Sequence, residues 1–358
     1  MDFFKKEKRT AFEAIGYAQW IAWAPMVFQA SRVMRDTGIL QALQEAGREG
    51  LTMKQIEEKV KLPHYGVRVL LEAGLGIGLV LLNDEKYTLT KTGFFILTDT
   101  LTRANMSFVH DVCYEGMFYL EDAIRTEKPA GLKVFGTQWN TVYEALAHLP
   151  EHVRKSWFGF DHFYSDDAFP LVLPVVFKDK PKKMLDIGGN TGKWSIKAVN
   201  FDPDIHITIV DLPGQVNMAK KNVEELGLSN RISFHETNML DDSLPLPKGY
   251  DAIWMSQFLD CFSDAEITSI LKRCHAAVDD DGFIYIMESF WDKQKYEVGA
   301  FSVQQTSLYF TAIANGNSQM YNSEVFMKCV LDAGFEVVEQ TDQIGVSQTL
   351  LKCRKRRK

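Results

Sequence analysis

The sequence predicts an α/β chain: a doubly wound, mostly parallel sheet with an antiparallel last strand, preceded by an α-helical region that ends in a winged helix. Three observations carry this expectation. From Lys183 onward, apolar runs at Met184–Ile187, His206–Val210, Ile232–His235, Ala252–Met255, Phe283–Met287 and Phe335–Val338 alternate with helical stretches, the rhythm of βαβ units. A final short run, 345–352, follows Phe335–Val338 too closely for a helical crossover, so the last pair is expected to be antiparallel. Upstream, residues 51–93 read helix, helix, strand, turn, strand.

In chain order, residues 11–45 read as helix, with Phe12, Ile15, Trp20, Ile21, Val27, Phe28, Val33, Met34, Ile39 and Leu43 recurring near helical spacing. Pro25 is expected to start a new helix or kink this one. So many large apolar side chains near one end exceed what a small domain buries, and point to packing across domains or onto a partner subunit. Thr52 can cap a helix over Met53–Val60, and Pro63 opens a second running through Leu75. Leu79–Leu82 and Tyr87–Thr90 then flank a polar turn. As a DNA reader, the second helix of this winged helix would need basic residues facing the groove, but it offers His64, Tyr65 and Arg68 among apolar ones. A scaffold or dimerisation module fits better. Residues 101–175 read as aromatic-rich helices broken at Pro129-Ala130-Gly131 and Pro150, a wall against which small-molecule pockets tend to form.

The 358 residues suggest about two domains. A net charge of −7 disfavours a nucleic-acid partner. The one dense basic run, Arg354–Lys358, reads as a frayed, solvated tail. Five cysteines without a CxxC pair argue against a disulfide framework and a zinc site, so no metal is expected. No signal-peptide run opens the chain and no stretch has the length of a membrane span. A cytoplasmic protein with no membrane association is expected.

The chemistry gathers at the strand ends. The first strand ends in Asp186 and runs into Gly188-Gly189-Asn190-Thr191-Gly192 before the helix Lys193–Val199. Glycines admit a ligand close to the backbone, Asn190 tolerates left-handed dihedrals, and a helix start presents free N–H groups. The second strand ends Asp211-Leu212-Pro213, an acid placed to hold a ribose diol. The third ends in Asn238-Met239, an amide and a thioether suited to an adenine edge and face. Together these describe an adenosine site. Asp186 beside the glycines suits the ammonium of S-adenosylmethionine and would repel a pyrophosphate.

Over nearly its whole length the chain resembles the small-molecule O-methyltransferases, the family of plant caffeate-type and bacterial polyketide and carotenoid enzymes. Leu185–Gly192 resembles the family's glycine-rich loop, Asp211-Leu212-Pro213 stands intact, and Asn238-Met239 stands for its Asp-Met pair. The segment Phe160-Asp161-His162-Phe163-Tyr164-Ser165-Asp166 resembles its substrate segment. The resemblance implies a class I, Rossmann-like methyltransferase sheet, S-adenosylmethionine as cofactor, a small-molecule acceptor, and a homodimer through the N-terminal domain. It implies three regions: 1–100 for the winged-helix dimerisation domain, 101–175 for the helical linker and substrate-pocket wall, and 176–358 for the catalytic domain.

The chain departs from the family where the base should be. The family's Lys-Trp-Ile-Leu-His-Asp-Trp-Ser-Asp stretch is matched by 256–264, with Asp260 at the histidine, Ser256 at the cofactor-contacting lysine and Phe262 at the adenine-stacking tryptophan. One of the two acids that flank the histidine appears as Glu288, and the other falls near Ser318 and is lost. An ordinary aspartate near pKa ~3.9 is a poor base for a phenol near ~10. Three routes stay open: Asp260 raised by burial beside Glu288, another base among His162, Tyr164 and His110, or an acceptor that needs no strong base because alignment suffices. The expected acceptor site is Asp260, Glu288 and His162 with Phe160, Phe163 and Tyr164. The cofactor set is Asp186, Gly188, Gly189, Asn190, Gly192, Asp211, Leu212, Asn238, Met239, Ser256 and Phe262. The alternatives are the same fold turned to hydroxylation or decarboxylation, and a non-catalytic ligand-binding or regulatory protein.

Overall fold

The structure, a computed structural model of the chain, describes residues 3–357. They form two compact units, one up to Val109 and one from His110 onward.

In the first unit, α1 (Ala11–Asp36) opens on a capping box: Thr10 accepts from the Glu13 amide, and the Glu13 carboxylate accepts from the Thr10 amide. Of the two outcomes expected at Pro25, a new helix does not occur: α1 continues through it as one 26-residue helix, the ladder on either side spanning the one missing donor. Only Ser31 and Met34 of α1 are buried. Phe12, Ile15, Trp23 and Met26 keep more than half their surface, Phe12 as much as 86%. After α2 (Ile39–Ala46) and β1 (Leu51–Thr52) come α3 (Met53–Val60), capped by Thr52 with Gln55, and α4 (His64–Ile77) behind Pro63. Strands β2 (Val80–Asn83) and β3 (Lys86–Leu89) complete an antiparallel sheet in the order β1-β3-β2, followed by α5 (Lys91–Thr98) and α6 (Thr100–Phe108). Met34, Ile39, Leu43, Ile56 and Leu71 fill its core. This is the winged-helix layout with a third, two-residue strand, too short for any periodic signal.

The second unit begins with helices: α7 (Leu120–Thr126), α8 (Val142–Ala145), α9 (Glu151–Asp166) and α10 (Phe169–Val176). The alternating part follows as β4 (Lys183–Ile187), α11 (Lys193–Phe201), β5 (His206–Asp211), α12 (Pro213–Glu225), β6 (Ile232–Glu236), β7 (Tyr250–Ser256), α13 (Asp264–Ala277), β8 (Val278–Glu288), α14 (Glu297–Tyr309), α15 (Ser323–Asp332), β9 (Phe335–Ile344) and β10 (Gln348–Lys355). The sheet order is β6-β5-β4-β7-β8-β10-β9, with β10 antiparallel to both β8 and β9. Apolar cores pack on both faces, one around Ile253, Ile284 and Phe326, the other around the parallel stack of Trp194 and Trp254. The Rossmann-like reading with an antiparallel end therefore holds.

The C-terminal basic run is a correction. Arg354 and Lys355 are not a frayed tail but the end of β10, where Arg354 pairs with Glu336 at 2.6 Å and Lys355 with Asp280 at 2.9 Å. Lys358 lies outside the described residues.

Candidate active site

Chain order reverses between β4 and β7, with β5 and β6 on one side and β8 on the other. The crevice at the carboxyl ends of such strands is where α/β sheets bind ligands. β4 delivers Asp186 and Ile187 into the glycine turn, where Gly188 (φ 73°), Asn190 (φ 49°) and Gly192 (φ 82°) take left-handed backbone. A side chain on Gly188 would overlap the Phe258 ring, and one on Gly189 would press on Ile209 at 2.8 Å. The loop is tied down from two sides: the Asn190 amide donates to Asp211 Oδ2 at 2.8 Å, and Asn222 Nδ2 donates to the Thr191 carbonyl at 2.9 Å. Asp186 is buried and accepts from Ser195 Oγ at 2.5 Å. Burial pushes its carboxyl up to about 7. Asp211 closes β5, accepts from the Leu212 amide as well, and is pushed up to about 6 by burial.

Beyond β6, Asn238 is exposed and its Oδ1 accepts from the Leu240 amide at 2.9 Å, while Met239 is buried in the core. Ser256 ends β7 and is followed by Gln257 in left-handed backbone (φ 48°), a strained conformation for a residue with a Cβ. Phe262 packs edge-on against Phe258, ring centres 4.9 Å apart.

Asp260 and Glu288 come together. Asp260 lies in a short 3-10 turn, only 4% exposed, so it is neither a helix cap nor a solvated residue. Glu288 ends β8 at 1% exposure, and its Oε1 accepts from the amides of Phe258 (3.1 Å) and Leu259 (2.8 Å). Burial and then the Asp260 charge hold Glu288 well above the carboxylate range, whereas Asp260, bonded by the Cys261 thiol and by Glu288, is raised by burial to about 6. Two adjacent buried carboxyls cannot both ionise cheaply.

His162, Phe160, Phe163 and Tyr164 are all half-buried on α9. His162 lines a groove of about 430 Å³ with Arg154, Phe158, Thr191 and Met218. Burial, and next the Lys193 charge, push its imidazole down to about 4, so at neutral pH it is a weak base. His110 is engaged with Asp111 at 2.7 Å. Ser318 is buried and donates to Asn315, whose amide in turn bonds the Cys261 carbonyl.

Sequence reasoning missed several groups. Asp161 is pushed up to about 7, first by burial and next by the Asp260 charge. Burial pushes the Tyr143 and Tyr309 hydroxyls well up, and Tyr309 accepts from Trp157 Nε1 at 2.7 Å. Only the Asp161 position had a signal, inside the substrate-like segment.

Buried side-chain oxygens at the strand ends without a hydrogen-bond partner include Asn190 Oδ1 after β4, Thr237 Oγ1 after β6, and Ser256 Oγ and Gln257 Oε1 at the end of β7. Buried polar atoms are normally satisfied. A row of unsatisfied acceptors beside a glycine cradle and the Asp211 carboxyl fits a polar ligand with hydroxyl and amino groups, as S-adenosylmethionine is.

Residues 117–336, more than half the chain, match the model of the O-methyltransferase domain. The chain belongs to the O-methyltransferase family. Residues 16–87 match a Dimerisation2-like domain. Curated relatives include an L-tyrosine C(3)-methyltransferase of Streptomyces lavendulae, 24% identical over 319 residues covering 88% of this chain and 85% of that protein. Another is the acetylserotonin O-methyltransferase of Gallus gallus, 25% identical over 297 residues covering 79% and 83%. Among solved structures, the S-adenosylmethionine-dependent methyltransferase SibL superposes with a TM-score of 0.71 at 21% identity, covering 94% of this chain and 98% of that one. Human N-acetylserotonin methyltransferase, solved with S-adenosylmethionine, gives 0.67 at 20%, covering 98% and 99%. These likenesses show the fold. S-adenosylmethionine is the cofactor of this family.

Proposed function

We propose that the chain methylates an oxygen of a small-molecule acceptor, with Asp260 as the base. The observation that carries this is the pair of buried carboxyls at the carboxyl edge of the sheet, Asp260 in the turn after β7 and Glu288 at the end of β8. S-adenosylmethionine, when bound, supplies an electrophilic methyl group on a sulfonium. Asp211 would hold the ribose diol, Asn190, Gly188, Gly189 and Gly192 the amino-acid end with Asp186 behind them, and Leu212, Asn238, Met239 and Phe262 the adenine. Ser256, with its unpartnered hydroxyl, takes the place of a longer cationic side chain.

Glu288, held well above the carboxylate range, stays protonated in this reading, and Asp260 is the member of the pair that charges near neutral pH. Asp260 then takes the acceptor's hydroxyl proton as the oxygen gains the methyl group. Burial makes Asp260 a stronger base than a surface aspartate. His162, held neutral, lines the groove rather than moving a proton. The exposed apolar face of α1, within the segment that matches a dimerisation domain, supports a homodimer. A cytoplasmic setting accords with five free cysteines and with the lack of a membrane-length apolar helix among the described residues.

A second reading has support of its own: methylation of a ring carbon beside a phenol, as the name of the Streptomyces lavendulae relative describes for that protein. The same base would ionise the phenol in either case. Incubation with S-adenosylmethionine and a panel of phenols, enols and carboxylates is expected to yield S-adenosylhomocysteine and a methylated product, whose NMR spectrum tells oxygen from carbon. No S-adenosylhomocysteine with any acceptor would refute methyl transfer.

A further inference from the structure

Arg154, Phe158 and His162 follow one another at four-residue spacing and form a single stripe down α9. That stripe is one wall of the groove of about 430 Å³, a volume within the range of small-molecule sites. Leu146 and Ala147, in the turn Leu146–His148, and Met218 on α12 add apolar surface, and Thr191 of the glycine turn adds a hydroxyl. None of Asp186, Asp211, Asp260 and Glu288 lines the groove, so it lies outside the strand-end crevice. The Arg154 guanidinium has no ion pair or hydrogen bond among the described residues. No carboxylate lines the groove with it. Of the acids on α9 beside His162, Asp166 is paired with Lys193 at 2.7 Å, and Asp161 stands 3.9 Å from His162 Nε2 without lining the groove.

In a chain of net charge −7, a groove whose one charged side chain is an unpaired guanidinium complements an anion. A guanidinium meets a carboxylate with two parallel N–H donors. A single cation suits a monoanion better than a dianionic phosphate, which would keep a charge unpaired. Burial, and next the Lys193 charge, keep His162 neutral, so it adds no second cation. The Phe158 and His162 rings, centres 5.5 Å apart and tilted by 33°, make an aromatic flank on which a flat ring can lie. We propose that this groove binds an aromatic carboxylate, its carboxylate on Arg154 and its ring between Phe158 and Met218, while the cofactor occupies the crevice. Such a ligand touches α9 on one side and Thr191 with α12 on the other. The site stands whether or not the chain transfers a methyl group to oxygen.

The test is calorimetry on the full chain, with and without saturating S-adenosylhomocysteine. The probes are cinnamate and its neutral amide, cinnamamide, neither of which carries a hydroxyl to be methylated. Cinnamate is expected to bind about fivefold more tightly than cinnamamide, the scale of an exposed bidentate ion pair, and to bind alongside S-adenosylhomocysteine. Arg154 is exposed, so Arg154→Gln is expected to fold and to lose that preference, with cinnamamide and S-adenosylhomocysteine within about twofold of native. Ala147→Glu sets a carboxylate in the groove and is expected to weaken cinnamate at least as much; it decides the matter if Arg154→Gln does not fold. Cinnamate that binds the native chain no more tightly than cinnamamide, or not at all at millimolar concentration, would overturn the proposal. So would cinnamate binding that these substitutions leave unchanged, which would lie elsewhere. Displacement of cinnamate by S-adenosylhomocysteine would assign the groove to the cofactor, and phenyl phosphate bound more tightly than cinnamate would assign it to a dianion; either result overturns it as well.

Discussion

Replacing Asp260 by asparagine keeps the side chain's shape and removes its charge. Asp260 is buried, accepts from the Cys261 thiol at 3.4 Å and faces Glu288, and burial raises it to about 6. Against a phenol near ~10, a base of that strength faces a gap of about four units, or roughly 5 kcal/mol. An ordinary aspartate would face about six units, or roughly 8 kcal/mol, so burial recovers roughly 3 kcal/mol. Removing the base altogether costs about a hundredfold to ten-thousandfold in rate where proton transfer limits the reaction. The assay is single-turnover methyl transfer to the best acceptor of the panel, between pH 5 and 9. The native rate is expected to rise with pH through about 6, because the base works only when deprotonated. In Asp260→Asn the rate is expected to fall at least about a hundredfold and to lose that limb. A variant within about threefold of the native rate, with the limb in place, would refute Asp260 as the base.

Gly188→Ala forces a side chain into left-handed backbone and onto the Phe258 ring; a loss of about 1–3 kcal/mol in stability is expected, read as a lower Tm. Stability against pH follows from the buried carboxyls. Asp161 and Asp186 (about 7) and Asp211 and Asp260 (about 6) are raised, so between about 4 and 7 the folded chain holds more protons than the unfolded one and loses stability as pH rises. His162, lowered to about 4, and His275, also lowered, act in the opposite sense below their ordinary pKa, against these four carboxyls and Glu288, which is raised as well. A lower Tm at pH 8 than at pH 6 is expected, and a rise would contradict it. Ile15→Glu with Trp23→Glu on the exposed face of α1 should convert a dimer to a monomer by light scattering. An unchanged mass would remove α1 from the interface.

Local signals were readable and distant ones were not. The glycine turn, Asp211-Leu212-Pro213 and the caps at Thr52 and Pro63 each depend on neighbours within a few residues, and the alternating strands declare themselves by pattern. β1 is two residues long and paired only through β3, so nothing in its own sequence marks it. Arg354 and Lys355 look like a solvated tail because the acids that hold them, Glu336 and Asp280, belong to other parts of the sheet. The resemblance already set Glu288 beside the Asp260 position; what only packing gives is the burial of both and the Phe258 and Leu259 amides on Glu288. Tyr143, Asp161 and Tyr309 lie on α8, α9 and α14, and nothing in their spacing announces that burial shifts all three. The unpartnered oxygens of Thr237 and Gln257 are likewise a property of packing.

The central claim is that the strand-end crevice binds S-adenosylmethionine, with Asp211 holding its ribose. Calorimetric titration of S-adenosylhomocysteine into the native chain and into Asp211→Ala tests this most directly. One site per chain is expected, with affinity at least about tenfold weaker in the variant, since a half-buried hydrogen-bonding carboxylate is removed. No binding to the native chain, or equal affinity in the two, would contradict the account.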